Sequence, residues 1–165
     1  MIIDTQFAVE LLREISPEMA TVIIAATPIF ELRGSLPIAM TVYNMNIPNA
    51  YFWSVVGNVI PVIVIMFLLD SVSTWLSKHF SFWNRFFTWL FERTRKRAKS
   101  KIEKYGHWGL FFLVAIPLPV TGGWTGAMAA FLFGIKKRKA IPVMLLGIMA
   151  AGVVVTLITI GAIHL

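Results

Sequence analysis

Cysteine is absent from the 165 residues, which excludes a disulfide framework, a thiolate metal site and a thiol nucleophile. Charge is scarce as well: Asp, Glu, Lys and Arg make up 14% of the chain, and only 8 residues are acidic. The usual marks of an enzyme are missing too. There is no His-Glu-x-x-His run, no phosphate-binding Gly-rich loop ending in Lys and no nucleophile elbow, and His79, His107 and His164 are scattered at segment ends. The expectation is a protein that is not an enzyme and uses no metal and no cofactor. The N-terminus lacks the basic flank, apolar core and small-residue cleavage site of a signal peptide, so it is expected to stay on the mature protein.

What the chain has instead is apolar length. Hydrophobic residues reach 58% and mean hydropathy is +0.76, more than one soluble core of this size can use, so the chain reads as an integral membrane protein. The net charge of +7 would suggest a nucleic-acid partner if it were spread over one face. It is not spread. Of the 15 Lys and Arg residues, nine lie between Lys78 and Lys104 and four form the run Lys136 to Lys139. Both segments flank apolar stretches, so the positive-inside rule makes residues 77–104 and 136–139 cytoplasmic in a multi-pass protein of a prokaryotic cell membrane, with no nucleic acid involved.

Two stretches have the length of full spans. Tyr51 to Leu69 carries no charge, and its apolar character continues to Trp75 with Asp70 as the one interruption; Ala140 to Leu165 is free of Lys, Arg, Asp and Glu. At ~1.5 Å per residue each crosses a ~30 Å hydrocarbon core. The expected spans are 48–76, running inward, and 140–165, running outward.

The 31 residues from Tyr105 to Ile135 contain no Lys, Arg, Asp or Glu, yet both ends adjoin cytoplasmic basic clusters. One crossing would separate those clusters, while two would need about 40 residues and a turn. The middle, Ile116-Pro-Leu-Pro-Val-Thr-Gly-Gly-Trp-Thr-Gly126, is rich in helix breakers. Residues 105–135 therefore read as a re-entrant hairpin of two half-length helices, tolerated where protein or water covers the irregular backbone. The same shape appears over 17–46. Ser16 and Pro17 start a helix, an apolar run follows from Met19, and Pro28 to Pro37 interrupts it before a second short run to about Tyr43. A single crossing of this first unit is the alternative.

Pro28 and Pro117 are 89 apart, Gly34 and Gly123 are 89 apart, and Gly57 and Gly147 are 90 apart. Each half reads as hairpin then span, with the spans opposed. The expected fold is thus all-α and integral to the membrane: an inverted repeat of two re-entrant helical hairpins, each followed by a transmembrane helix, plus amphipathic interfacial helices over 1–16 and 77–104. Around the second of these, Leu76 just before it and Phe80, Trp83, Phe87 and Leu90 within it share an apolar face, and the basic run after it faces water and anionic headgroups.

Ionised residues inside a membrane are expensive, so Glu31, Arg33 and Asp70 stand out. Asp70, beside Ser71, Ser73 and Thr74, reads as interfacial. Glu31 and Arg33 sit at the helix break, where turning backbone lets residues two apart share a side. As a pair they either hold the loop or form a site. For a site, the orphan N-H groups of a broken helix favour an anion, and Arg33 adds a fork of donors for phosphate or carboxylate. Gly34 and Ser35 belong to this first break. Pro117, Pro119, Thr121, Gly122, Gly123, Trp124 and Thr125 would complete a midplane site from the second hairpin, with Asn58 either lining it or packing. A carboxyl in low dielectric titrates nearer neutral pH than an exposed one, which makes Glu31 the candidate for proton coupling.

The strings Glu31-Leu-Arg-Gly-Ser-Leu-Pro37 and Pro117-Leu-Pro-Val-Thr-Gly-Gly-Trp-Thr-Gly126 resemble the paired signatures of the small multidrug export protein family, which looks related to the DedA superfamily. The resemblance runs from about residue 17 to the end. It implies two inverted re-entrant hairpins and, through DedA, movement of lipids such as polyprenyl phosphates in dependence on the proton gradient, with Glu31 matching the acidic residue of the first hairpin. DedA proteins carry an arginine after the proline of the second hairpin, where this chain has Thr121, Gly122 and Gly123. Three functions follow: a proton-coupled carrier or flippase for an anionic amphiphile, a proton antiporter of lipophilic cations, or a membrane assembly factor without transport. The expected partners are the bilayer, the amphiphilic or lipid substrate, protons and a second copy in a homodimer, because two hairpins and two spans make a thin wall around a polar loop.

Overall fold

The computed structural model describes residues 15–79, 81–116 and 122–163, except the side chains at 70, 74, 76, 77, 81–83 and 163. The segment 1–16 thus lies almost wholly outside the described residues, as do Pro117, Pro119, Thr121 and the side chain of Asp70. Among the described residues all regular structure is helical.

Helix α1, Pro17–Ala26, starts as the sequence suggests. Ser16 Oγ accepts the Met19 N-H at 3.3 Å and Pro17 takes the first helical position. Thr27 ends it, donating through Oγ1 to the Ile24 carbonyl at 2.8 Å and accepting the Phe30 N-H at 3.3 Å. Helix α2, Glu31–Thr41, follows after a three-residue turn. The break is therefore shorter than Pro28 to Pro37. Pro37 lies inside α2, where it cannot donate a ladder hydrogen bond but does not stop the helix. Arg33, Gly34 and Ser35 are helical, not extended.

Asn46 caps the long helix α3, Ile47–His79, its Oδ1 accepting the Asn49 N-H at 3.0 Å. Helix α4, Ser81–Tyr105, carries the basic segment. A short 3-10 turn, Gly106–Trp108, leads into α5, Gly109–Ala115. Then come α6, Gly123–Leu132, and the long helix α7, Lys137–Ile163. Two stretches, Ile47–Leu69 and Lys137–Ala162, are long and apolar enough to cross a membrane. The four short helices of 7 to 11 residues reach only about half of a ~30 Å core.

The long helices run antiparallel. Tyr51, near the start of α3, donates its hydroxyl to the Met149 carbonyl at 2.9 Å, whereas Lys137 Nζ, at the start of α7, lies 4.3 Å from the ring centre of Phe67. The Lys136 to Lys139 run thereby lies beside the C-terminal half of α3, the end from which the other basic segment continues. Within each half, the first short helix packs on its own long helix at a glycine. A Cβ at Gly57 would meet the Val22 carbonyl at 2.5 Å and Ala25 Cβ at 2.7 Å. One at Gly147 would meet Val114 Cβ at 2.9 Å and the Phe111 carbonyl at 3.2 Å. Val22 and Phe111, like Ala25 and Val114, are 89 apart in sequence, and the glycines they meet are 90 apart, so the contact recurs at nearly the same offset. Small residues permit such backbone approach in a bilayer, where hydrophobicity does not drive helices together.

The second short helix of each pair also contacts the long helix of the opposite half, α2 on α7 and α6 on α3. The core between them contains Leu32, Leu36, Val62, Leu113, Val114, Met144 and Ile148. Helix α4 does not merely float at an interface. Phe87, Thr94 and Ala98 are buried, Phe91 stacks 5.8 Å from Phe131, and Ile102 joins the core. The face of α4 that carries Phe87, Thr94, Ala98 and Ile102 is thus packed into the protein. Outward faces of the long helices stay apolar, with Phe52, Ile63, Phe67, Val153, Leu157 and Ile158 exposed, a surface suited to lipid.

Replacing Gly57 by Ala is expected to lower stability in mild detergent by about 1–3 kcal/mol through overpacking, whereas Gly161→Ala, with nothing within 4 Å, should be neutral or stabilising. Equal effects of the two, measured by thermal unfolding, would contradict the close crossing of α1 and α3.

Candidate functional site

The turn between α1 and α2 and the start of α6 meet at one side chain. Glu31 is the first residue of α2 and has a left-handed φ of +47°, uncommon for a residue with a Cβ. Its N-H donates to the Thr27 carbonyl at 3.0 Å, and its carboxylate spans 93 residues of sequence to accept the Trp124 N-H at Oε1, 3.3 Å away. Trp124 is the second residue of α6, so the carboxylate caps that helix and faces its positive end. Oε2 pairs with Arg33 Nη2 at 3.2 Å. Glu31 is 5% exposed, and the Arg33 side chain 28%.

Gly122 makes this seat possible. Its φ of +151° lies in the region that favours glycine, and a Cβ there would overlap the Glu31 carboxylate. The start of α6, where the sequence suggests room for an anion, is thus occupied by the chain's own carboxylate.

Two cavities flank the pair, and both are lined by Glu31 and Arg33. The larger, about 640 Å³, has Pro28, Ile29, Ile65, Leu69, Phe86, Phe87, Leu90 and Met128 as its apolar wall, with Trp124 and Thr125 beside the charged pair. That volume falls in the ~300–1,000 Å³ range of small-molecule sites. The smaller, about 10 Å³, lies among Leu32, Asn58, Val114, Gly122, Gly123, Ile148 and Ala151. Asn58 is 3% exposed, and its Oδ1 has no hydrogen-bond partner among the described residues.

The expected site residues thus divide. Glu31, Arg33, Asn58, Gly122, Gly123, Trp124 and Thr125 gather around the two cavities. Gly34 packs on the Phe30 ring, and Ser35 is buried, and neither lines these two cavities. Pro117, Pro119 and Thr121 fall outside the described residues. Sequence reasoning missed the apolar wall. Phe87 and Leu90 were visible on the apolar stripe of α4, but periodicity alone does not tell a cavity wall from a lipid-facing stripe.

Gly122→Ala is expected to lose about 1–3 kcal/mol to the collision with Glu31 in addition to the strain of a backbone at φ +151°, while Gly106→Ala, left-handed at +58° in open space, should lose only about 1 kcal/mol. Equal losses of the two variants in thermal unfolding would contradict the seat of Glu31 on Gly122.

A family model described as "Putative small multi-drug export protein" matches residues 31–154, beginning at Glu31 itself and taking in every cavity residue except Pro28 and Ile29. No curated protein and no solved structure matches the chain. The family match spans 124 of the 165 residues, and the chain, with its two apolar helices and the Glu31 site inside that match, belongs to the small multi-drug export protein family of membrane proteins.

Proposed function

We propose that the protein is a proton-coupled carrier or flippase for an anionic amphiphile, such as a polyprenyl phosphate or a phospholipid. The observation that carries this reading is the cavity of about 640 Å³, whose walls are apolar and whose polar end holds Arg33, Glu31 and the start of α6. An amphiphile needs that combination: apolar walls for the chain, a guanidinium fork and backbone N-H groups for the head. Because the Glu31 carboxylate already uses those donors, a substrate anion and Glu31 compete for them. Proton uptake by Glu31 removes the competing charge, so anion binding and protonation favour each other, the linkage a coupled carrier needs.

This reading includes a membrane arrangement. The α1–α2 and α5–α6 pairs are re-entrant hairpins, the two halves form an inverted repeat, and residues 77–104 and 136–139 face the cytoplasm of a prokaryotic cell. It is supported by the short helix lengths, the glycine contact that recurs on antiparallel α3 and α7, and the basic segments at one end. A homodimer and a distant relation to DedA proteins, with their lipid substrates, belong to the same proposal.

The family description favours a second reading, export of lipophilic cations, in which drug and proton alternate on Glu31. Arg33 argues against it, since a cation would have to displace a guanidinium 3.2 Å from the carboxylate.

Purified protein in mild detergent should be stabilised against heat by dodecyl phosphate and not by dodecyltrimethylammonium, with the gain lost in Arg33→Ala. Stabilisation by the cation that survives Arg33→Ala would establish the exporter reading instead. In vesicles, Glu31→Gln should abolish gradient-driven flux, and a Gln variant with full flux would remove the proton role.

A further inference from the structure

The smaller cavity has a different character from the larger one. Asn58 is the central residue of the apolar stretch Ile47–Leu69, eleven residues from either end, so the cavity lies at the middle of the span. Its volume of about 10 Å³ suits one water molecule and no amphiphile. A buried amide oxygen without a donor costs about 1–3 kcal/mol, and Asn58 Oδ1 is such an atom, against the wall of a cavity that Glu31 also lines. One turn toward the N-terminus of α3, on the same helix face, Ser54 is fully buried, and its Oγ also has no partner among the described residues. Asn58 beside the small cavity and Ser54 one turn beyond it thus offer two unsatisfied oxygens along α3 toward its N-terminus, while the large cavity approaches Glu31 from the α4 side.

We infer that the small cavity is a binding site for one water molecule, held by Asn58 Oδ1 and a Glu31 oxygen, and that with Ser54 it forms the proton path to Glu31 from the α3 N-terminal end. The path rests on the proposed proton role of Glu31. A proton arriving on this water passes to a Glu31 oxygen, leaving neutral water and a neutral carboxyl. Among the described residues, the charged group facing Glu31 is Arg33 on α2, together with the positive end of α6; from α3, α5 and α7 the residues lining the cavity are Asn58, Val114, Ile148 and Ala151, none charged. The substrate head and the proton then reach Glu31 from opposite sides, which keeps the apolar cavity from serving as a leak.

The test uses the full chain in phospholipid vesicles with a trapped pH dye, dodecyl phosphate as probe, and Asn58→Leu, which fills the cavity and removes the acceptor. Asn58→Leu should keep the heat stabilisation by dodecyl phosphate yet slow probe-driven proton movement by roughly 10²-fold. Ser54→Ala should give a smaller loss, and Asn58→Ser, which restores room and a hydroxyl, a partial recovery. An Asn58→Leu variant that moves protons at the wild-type rate overturns the path, and one that loses probe stabilisation as well overturns the separation of the two routes. Wild-type protein that binds the probe but moves no protons overturns the path and the proton role together, leaving the anion site standing. If wild-type protein does not bind the probe, the carrier reading falls on its own. An experimental density map fine enough for waters then decides the water site: one water at ~3 Å from Asn58 Oδ1 upholds it, and an empty cavity overturns it.

Discussion

A buried carboxylate at the start of a helix organises this protein. Glu31 sits at the turn of the first short-helix pair and caps the first turn of α6 in the second, so one side chain joins two parts of the fold that are 93 residues apart. The bond is charge-assisted by the positive end of α6, and Arg33 supplies the neutralising partner. Other features serve this contact. Gly122 gives up its side chain so that the carboxylate fits, and Glu31 accepts a left-handed backbone to reach it. The glycines at 57 and 147 let the first helix of each pair lie close on a long helix, which fixes the level at which the two turns meet.

The same interaction bounds the chemistry. A helix start and an arginine in an apolar setting would bind an anion strongly, but here they are satisfied internally. A ligand gains only the difference between its own contacts with these donors and those of Glu31. In the proposed carrier this makes the site exchangeable instead of saturated and ties occupancy to the charge on one carboxyl, while the apolar walls would contribute the part of the binding free energy that does not depend on that charge.

Much of this was legible in the sequence, for reasons that can be named. The basic clusters at 78–104 and 136–139 and the apolar runs predicted two long helices, and these are found at Ile47–His79 and Lys137–Ile163. Helix breakers at 116–126 and near Pro28 predicted pairs of short helices. Pairing of Glu31 with Arg33 followed from their place at a turn. The extent of the first break did not follow, because a proline that loses one ladder bond can still lie within a helix, as Pro37 does in α2. Nor could the sequence reveal that Glu31 caps α6, since nothing local marks a bond to Trp124. The inner face of α4 posed the third difficulty: an apolar stripe has the same periodicity whether it meets lipid, protein or a cavity.

In the proposed carrier, the Glu31 carboxylate and a ligand anion compete for the same donors. This competition is tested most directly by the affinity of the Glu31→Gln protein for dodecyl phosphate, measured at neutral pH in detergent beside the wild type. Gln removes the competing charge and leaves Arg33 and the α6 N-H groups for the ligand, so the account predicts tighter binding than in the wild type. Weaker binding by the Gln variant would mean that the carboxylate itself helps to hold the ligand, and would contradict the account.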